Sequence, residues 1–237
     1  LTPEDEAICF GETTPSLDPT GIVAGNTVKW YGSNALTTVL FTGDAYTSPV
    51  TNVGTYNFYA TQTESGCESQ SATFTLEIKE VPSKPTAGDK TVCQYETVPN
   101  LTTTGSNVKW YLMPDNSTVV SYLTSFATGK TDPGTYKYTV TQTVNECTSQ
   151  PDTATLTIHA EPLQPTVLDD TLCFGEDATI TATGDNIKWY ANPGLTTLLE
   201  TGSTYVTGKT TVGVYSYFVT QTHNNCQSPY KVMNMTI

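Results

Sequence analysis

Apolar and polar residues alternate with a period of two along most of the chain. Residues 178–183 read Ala-Thr-Ile-Thr-Ala-Thr, and after a Gly184-Asp185 turn the run Asn186–Tyr190 follows. Val214–Thr222 is a longer alternating stretch, and an Asn224-Asn225 turn leads into a last strand that ends at Ile237. Side chains on a strand point alternately to its two faces, so this pattern predicts strands with one buried and one solvated side. Helical periodicity is absent. Short strands with turn signals about every eight to twelve residues predict a β-sandwich rather than a helical or α/β domain.

The pattern is written three times. Val28-Lys29-Trp30-Tyr31 returns as Val108-Lys109-Trp110-Tyr111 and as Ile187-Lys188-Trp189-Tyr190. GTYNFYATQT from Gly54 returns as GTYKYTVTQT from Gly134 and GVYSYFVTQT from Gly213, placing Tyr56, Tyr136 and Tyr215 in register. Trp30, Trp110 and Trp189 therefore recur with a period of about 80 residues, and self-similarity at a fixed period marks a tandem array. A unit of this size is large enough for its own core. The expected domains are 1–80, 81–160 and 161–237. The seams carry Pro82 and Pro85, then Pro162 and Pro165. Paired prolines fix φ and favour short, stiff, extended linkers.

Composition sharpens this. Forty-eight Thr and fourteen Tyr suit pleated, half-solvated surfaces. Ten Lys, no Arg and a net charge of −13 argue against gripping nucleic acid or inserting into an anionic membrane surface. Two histidines, His159 and His223, leave little for metal or acid–base chemistry. No GxSxG, HExxH or phosphate-cradling glycine loop is present. Every distinctive feature occurs three times, unlike the unique constellation of an enzyme. We therefore expect no catalysis and no cofactor. The first residue is Leu1, so the chain reads as a fragment of a longer protein.

The string CFGEDATITATGDNIKWY from Cys173 resembles the turn, second strand and Trp-bearing third strand of an immunoglobulin-like domain. Gly213-Val214-Tyr215 is similar to its tyrosine corner. The combination resembles the Ig-like repeats of very large Bacteroidota surface proteins, including gliding-motility adhesins and proteins exported by the type IX route. The resemblance implies three Ig-like sandwiches in an elongated rod, a location at the bacterial surface or in the secreted fraction, and a stalk or adhesin role. Where antibody domains carry the second cysteine of their inter-sheet bridge, this chain has Phe58, Tyr138 and Tyr217. Leu101 and Ile180 are plausible facing residues. Trp30, Trp110, Trp189, Tyr56, Tyr136 and Tyr215 are expected in the cores, with aromatic packing against Trp replacing that bridge.

Six cysteines remain to be paired. Two recur per repeat: Cys9 and Cys67, Cys93 and Cys147, Cys173 and Cys226. Their spacing excludes CxxC-type metal or redox sites and fits an oxidising compartment. Pairing within each repeat serves every copy without help from neighbours and is the expected arrangement. Each such bridge would stabilise by up to ~4 kcal/mol. The difficulty is that Ig wiring puts the two cysteines near opposite ends of the domain. The alternative joins neighbours, Cys9 to Cys147 and Cys93 to Cys226, leaving Cys67 and Cys173 for flanking copies.

Three further features invite a reading. Alternation turns Tyr31, Tyr111 and Tyr190 outward beside Lys29, Lys109 and Lys188, a face on which a sugar ring of a surface polysaccharide would stack; cross-strand shielding of the sheet is the plainer alternative. Glu12, Glu96 and Glu176 each follow a first cysteine by three residues, where a carboxylate caps backbone N–H groups. Acidic residues around the seams, Glu77, Glu80, Asp89, Glu161, Asp169 and Asp170, raise a junctional Ca²⁺ site on charge density alone.

The expected function is a spacer segment of a bacterial surface adhesin, serving adhesion or gliding, whose partners are neighbouring repeats. The alternatives are a carbohydrate-binding module and an accessory region of a secreted hydrolase. Strands of about six to eight residues give a rod approaching ~110–120 Å.

Overall fold

The computed structural model describes residues 1–176 and 178–237 and is all-β among them. In the first repeat one sheet runs, in spatial order, Glu6–Cys9, Ala72–Lys79, Gly54–Glu64, Thr27–Tyr31 and Val39–Thr42. The second repeat has the same order with Lys90–Cys93, Asp152–His159, Gly134–Thr141, Lys109–Leu112 and Val119–Ser121. The third has Asp170–Thr171, Lys231–Thr236, Val214–Thr220, Lys188–Tyr190 and Leu198–Thr201. Across each core lies a smaller layer, such as Thr166–Val167, Thr179–Thr183 and Thr204–Val206 in the third repeat. These are three tandem Ig-like sandwiches.

Each repeat has its own core. Trp30, Trp110 and Trp189 are fully buried, and each indole N–H finds an acceptor thirteen residues on: Gly43 O at 3.0 Å, Leu123 O at 2.9 Å and Gly202 O at 2.9 Å. A buried indole with its one donor satisfied gives its full apolar contribution without a desolvation penalty. The aromatic contact expected between the tryptophans and Phe58, Tyr138 and Tyr217 runs through a third ring. Tyr46 lies 5.6 Å from Trp30 and 5.3 Å from Phe58, centroid to centroid. Phe126 lies between Trp110 and Tyr138 in the same way, and Tyr205 between Trp189 and Tyr217. The second contact of each set is edge-to-face, the arrangement the ring quadrupole favours. Leu101 and Ile180 are buried in these cores.

Tyr56, Tyr136 and Tyr215 are half-buried and pack against the cores from their edges. Each hydroxyl donates to the carbonyl four residues earlier, Asn52, Asp132 and Thr211, at 3.0, 2.9 and 3.0 Å. The corner tyrosine thus closes the loop that enters its own strand.

The first strand of each repeat runs parallel to the last one. Cys9 lies opposite Lys79, and Cys93 opposite His159. This register places the first cysteine at the C-terminal end of its repeat.

Candidate functional site: the repeat junctions

The parallel first strand decides the cysteine pairing. Cys67 sits in the hairpin that precedes Ala72–Lys79, whereas Cys9 lies beside Lys79 at the far end of that strand. The length of that strand puts the two roughly 25 Å apart, and a disulfide requires Cα atoms within about 7 Å. Pairing within the repeat is therefore excluded, which corrects the expectation from the sequence. The bridges are Cys9–Cys147 and Cys93–Cys226, with Cα separations of 5.6 and 5.5 Å. Cys67 and Cys173 are free and exposed, so only four of the six cysteines form disulfides.

Each junction has the same parts. The C-terminal end of one repeat offers its first cysteine, and the hairpin of the next offers its second. The hairpin turn holds two consecutive residues in the left-handed region, Asn145 and Glu146 in one repeat, Asn224 and Asn225 in the next. Asparagine tolerates that region better than most residues. The turn thus fixes the direction of Cys147 and Cys226, which are buried at the joint.

The linkers are held by a glutamine that recurs at both junctions. Gln142 donates from Nε2 to Ser83 O at 2.7 Å while its Oε1 accepts from Ser106 N at 3.0 Å. Gln221 does the same with Leu163 O at 2.7 Å and Asp185 N at 2.8 Å. One side chain therefore ties the incoming linker to a turn of the repeat it enters. At the first junction Lys79 Nζ lies 2.7 Å from Glu146 Oε2. The hydrogen bond with Glu146 raises the Lys79 pKa, and the same bond lowers that of Glu146. Lys84 Nζ reaches Asp152 Oδ1 at 2.7 Å, and Ala87 N donates to the other oxygen. The Lys84 hydrogen bond, and after it that of Ala87, hold the Asp152 carboxyl below its usual range. At the second junction Glu161 N donates to Gln94 Oε1 at 3.3 Å.

Several recurring acidic residues are occupied by the backbone. Glu12, Glu96 and Glu176 accept from the N–H of Cys9, Cys93 and Cys173 at 2.7, 3.4 and 2.8 Å. Asp5, Asp89 and Asp169 accept from the N–H of Thr75, Thr155 and Asn234 at 2.8, 2.8 and 2.7 Å. Among the described residues no group of three or more His, Cys, Asp or Glu side chains converges as metal ligands would.

The aromatic face expected to stack on a sugar is not an open face. Tyr31 and Tyr190 are buried, and Tyr111 is half-buried. A bulge follows each tryptophan in its pairing with the edge strand, and in the first and third repeats the hairpin that carries the second cysteine reaches the tyrosine hydroxyl. Tyr31 donates its hydroxyl to Glu68 Oε1, which also accepts from Thr61 Oγ1, both at 2.5 Å. Burial first, and then Glu68, raises the Tyr31 pKa. The hydroxyls of Thr61 and Tyr31, in that order, lower that of Glu68. In the third repeat Gln227 takes the place of Glu68, donating to Thr220 Oγ1 at 3.0 Å and lying 3.5 Å from the Tyr190 hydroxyl. Lys29, Lys109 and Lys188 are half-buried along the same strands. What alternation along one strand does not contain is the cover supplied by a neighbouring hairpin.

The family model described as "Ig-like domain CHU_C associated" matches residues 1–79 and 162–237. No curated protein matches the chain. Among solved structures, it is similar to fibronectin(III)-like modules of Clostridium thermocellum CbhA, with 18% identity over 66% of this chain and 90% of that one and a TM-score of 0.38. Three N-terminal domains of the bacteriophage RB49 outer capsid protein Hoc give 12% identity, coverage of 97% and 96%, and a TM-score of 0.40. A Ca²⁺-stabilised ice-binding adhesin of an Antarctic bacterium gives 15% identity, coverage of 97% and 70%, and a TM-score of 0.39.

Proposed function

Since the chain belongs to the CHU_C-associated family of Ig-like domains, we propose that it is a structural, adhesion-related module: a stapled spacer within a bacterial surface adhesin. The observation that carries this reading is that both junctions are covalent twice, through the linker and through a disulfide between consecutive repeats. A double connection restrains bending and twisting at the joint, which is what a spacer needs to hold a distal region away from a surface. Disulfides also suit an extracellular location. The negative charge keeps neighbouring copies apart.

Small-angle scattering of the oxidised chain tests this. A head-to-tail rod of ~110–120 Å has a radius of gyration of about 33 Å, whereas a compact chain of this length has about 18 Å. A value near the compact figure contradicts the spacer reading. Selective binding to a surface-polysaccharide panel would favour a recognition module instead.

A further inference from the structure

The third repeat carries one constellation that its sisters lack. A cleft of about 330 Å³ lies where residues 214–217 of the main sheet meet the facing segment 205–209. Its walls are the rings of Tyr205, Tyr215 and Tyr217 with the aliphatic side chains of Ala191, Leu199 and Val214. Tyr217 is only 4% exposed, and its hydroxyl has no hydrogen-bond partner among the described residues. Burial pushes its pKa up, and Thr207 nearby offsets only part of that rise. The Thr207 oxygen already accepts from Lys209 N at 3.3 Å, and its hydroxyl points to Met235 Sδ at 3.8 Å. A buried hydroxyl without an acceptor is costly, so a ligand that brings one gains affinity here.

Lys209 is exposed at the rim, its Nζ 5.1 Å from the centroid of the Tyr215 ring. Among the described residues it forms no ion pair. The set is not repeated along the chain. At the positions of Ala191 and Ser216 the second repeat has Leu112 and Lys137, and at those of Lys209 and Tyr217 the first has Val50 and Phe58. The cleft also stands clear of the junctions. Thr135 and Lys137, the counterparts of Val214 and Ser216, stay exposed in the second repeat although a third repeat follows it.

We propose that this cleft binds a small aromatic monocarboxylate. A carboxylate supplies both an acceptor for the Tyr217 hydroxyl and a negative charge for Lys209. The rest of the wall, tyrosine rings and aliphatic side chains, suits a flat apolar body. A sugar acid would leave most of its hydroxyls unpaired there. The volume is at the low end of the about 300–1,000 Å³ usual for ligand clefts, which is room for one ring rather than a chain of them. The inference goes beyond the spacer reading, since an occupied cleft on one repeat leaves both junctions as they are.

Amide NMR spectra of the oxidised whole chain, titrated with benzoate, test this. Shifts are expected at Ala191, Leu199 and residues 205–217, and none at 126–138, the matching segment of the second repeat. Three variants introduce residues that the sister repeats carry at the same positions: Tyr217→Phe, Lys209→Val and Ala191→Leu. Tyr217→Phe should raise the Kd about tenfold, as loss of a hydrogen bond to a charged group does. Lys209→Val should raise it about threefold, because the ammonium is exposed. Ala191→Leu should abolish binding by filling the cleft, and amide shifts in the first two repeats report that each variant is folded. Benzyl alcohol, the same ring without the charge, and glucuronate, the charge on a sugar, should each bind at least about tenfold more weakly than benzoate. Absence of shifts with wild type, an unchanged Kd in Tyr217→Phe, or glucuronate binding as tightly as benzoate overturns the proposal. The scattering measurement is independent of all these outcomes, so the spacer reading stands or falls separately.

Discussion

Force applied to the two ends of the oxidised chain does not travel along its sequence. From Leu1 it runs to Cys9, crosses to Cys147, returns along the chain to Cys93, crosses to Cys226 and leaves through Ile237. The segments Phe10–Val92 and Thr148–Asn225, which include both linkers, lie off this path. At ~3.5 Å per extended residue, a path of about 73 residues reaches about 270 Å with its two bridges, against about 830 Å for the reduced chain. Replacing Cys93 by Ser leaves the Cys9–Cys147 bridge alone. The path then lengthens to about 98 residues, or about 350 Å. Single-molecule extension between handles at residues 1 and 237, with and without dithiothreitol, reads these lengths directly. An oxidised chain that extends as far as the reduced one, or a Cys93→Ser variant no longer than wild type, refutes the load path.

Two further perturbations probe the repeats themselves. Trp110→Ala should destabilise the second repeat by about 3–5 kcal/mol, because the indole is fully buried and its loss leaves a cavity beside Phe126; amide hydrogen exchange followed on peptides from that repeat measures it. Glu68 has a folded pKa below its ordinary value, so its contribution is present above the unfolded carboxylate range near ~4.3 and is lost as pH falls through the folded value. Glu68→Gln should flatten the loss of first-repeat thermal stability between about pH 5 and 3, and an unchanged pH profile would count against the Tyr31–Glu68–Thr61 cluster.

Much of the fold is legible in the sequence because it is written three times. The tryptophan strand, the corner tyrosine and the turn glutamates all hold fixed spacings, and local alternation suffices to place them. Tyr46, Phe126 and Tyr205 are equally readable, since each follows the tryptophan of its repeat at one constant interval. So are Gln62, Gln142 and Gln221, which keep a second constant interval from the same tryptophans. Two things are not legible locally. The parallel pairing of Glu6–Cys9 with Ala72–Lys79 joins the two sequence ends of one repeat, and it alone separates Cys9 from Cys67. The cover over Tyr31 depends on Glu68, which a period-two reading of the tryptophan strand cannot contain.

The stapled junctions depend on the disulfide connectivity, and peptide mapping measures it most directly. After blocking free thiols in a dilute, oxidised sample, trypsin isolates Cys9 in fragment 1–29, Cys67 in 30–79, Cys93 in 91–109, Cys147 with Cys173 in 138–188, and Cys226 in 210–231. The structure predicts 1–29 joined to 138–188, 91–109 joined to 210–231, and 30–79 recovered alone with a blocked thiol. Recovery of 1–29 joined to 30–79 would mean that the bridges lie within repeats, and would contradict the stapled junctions.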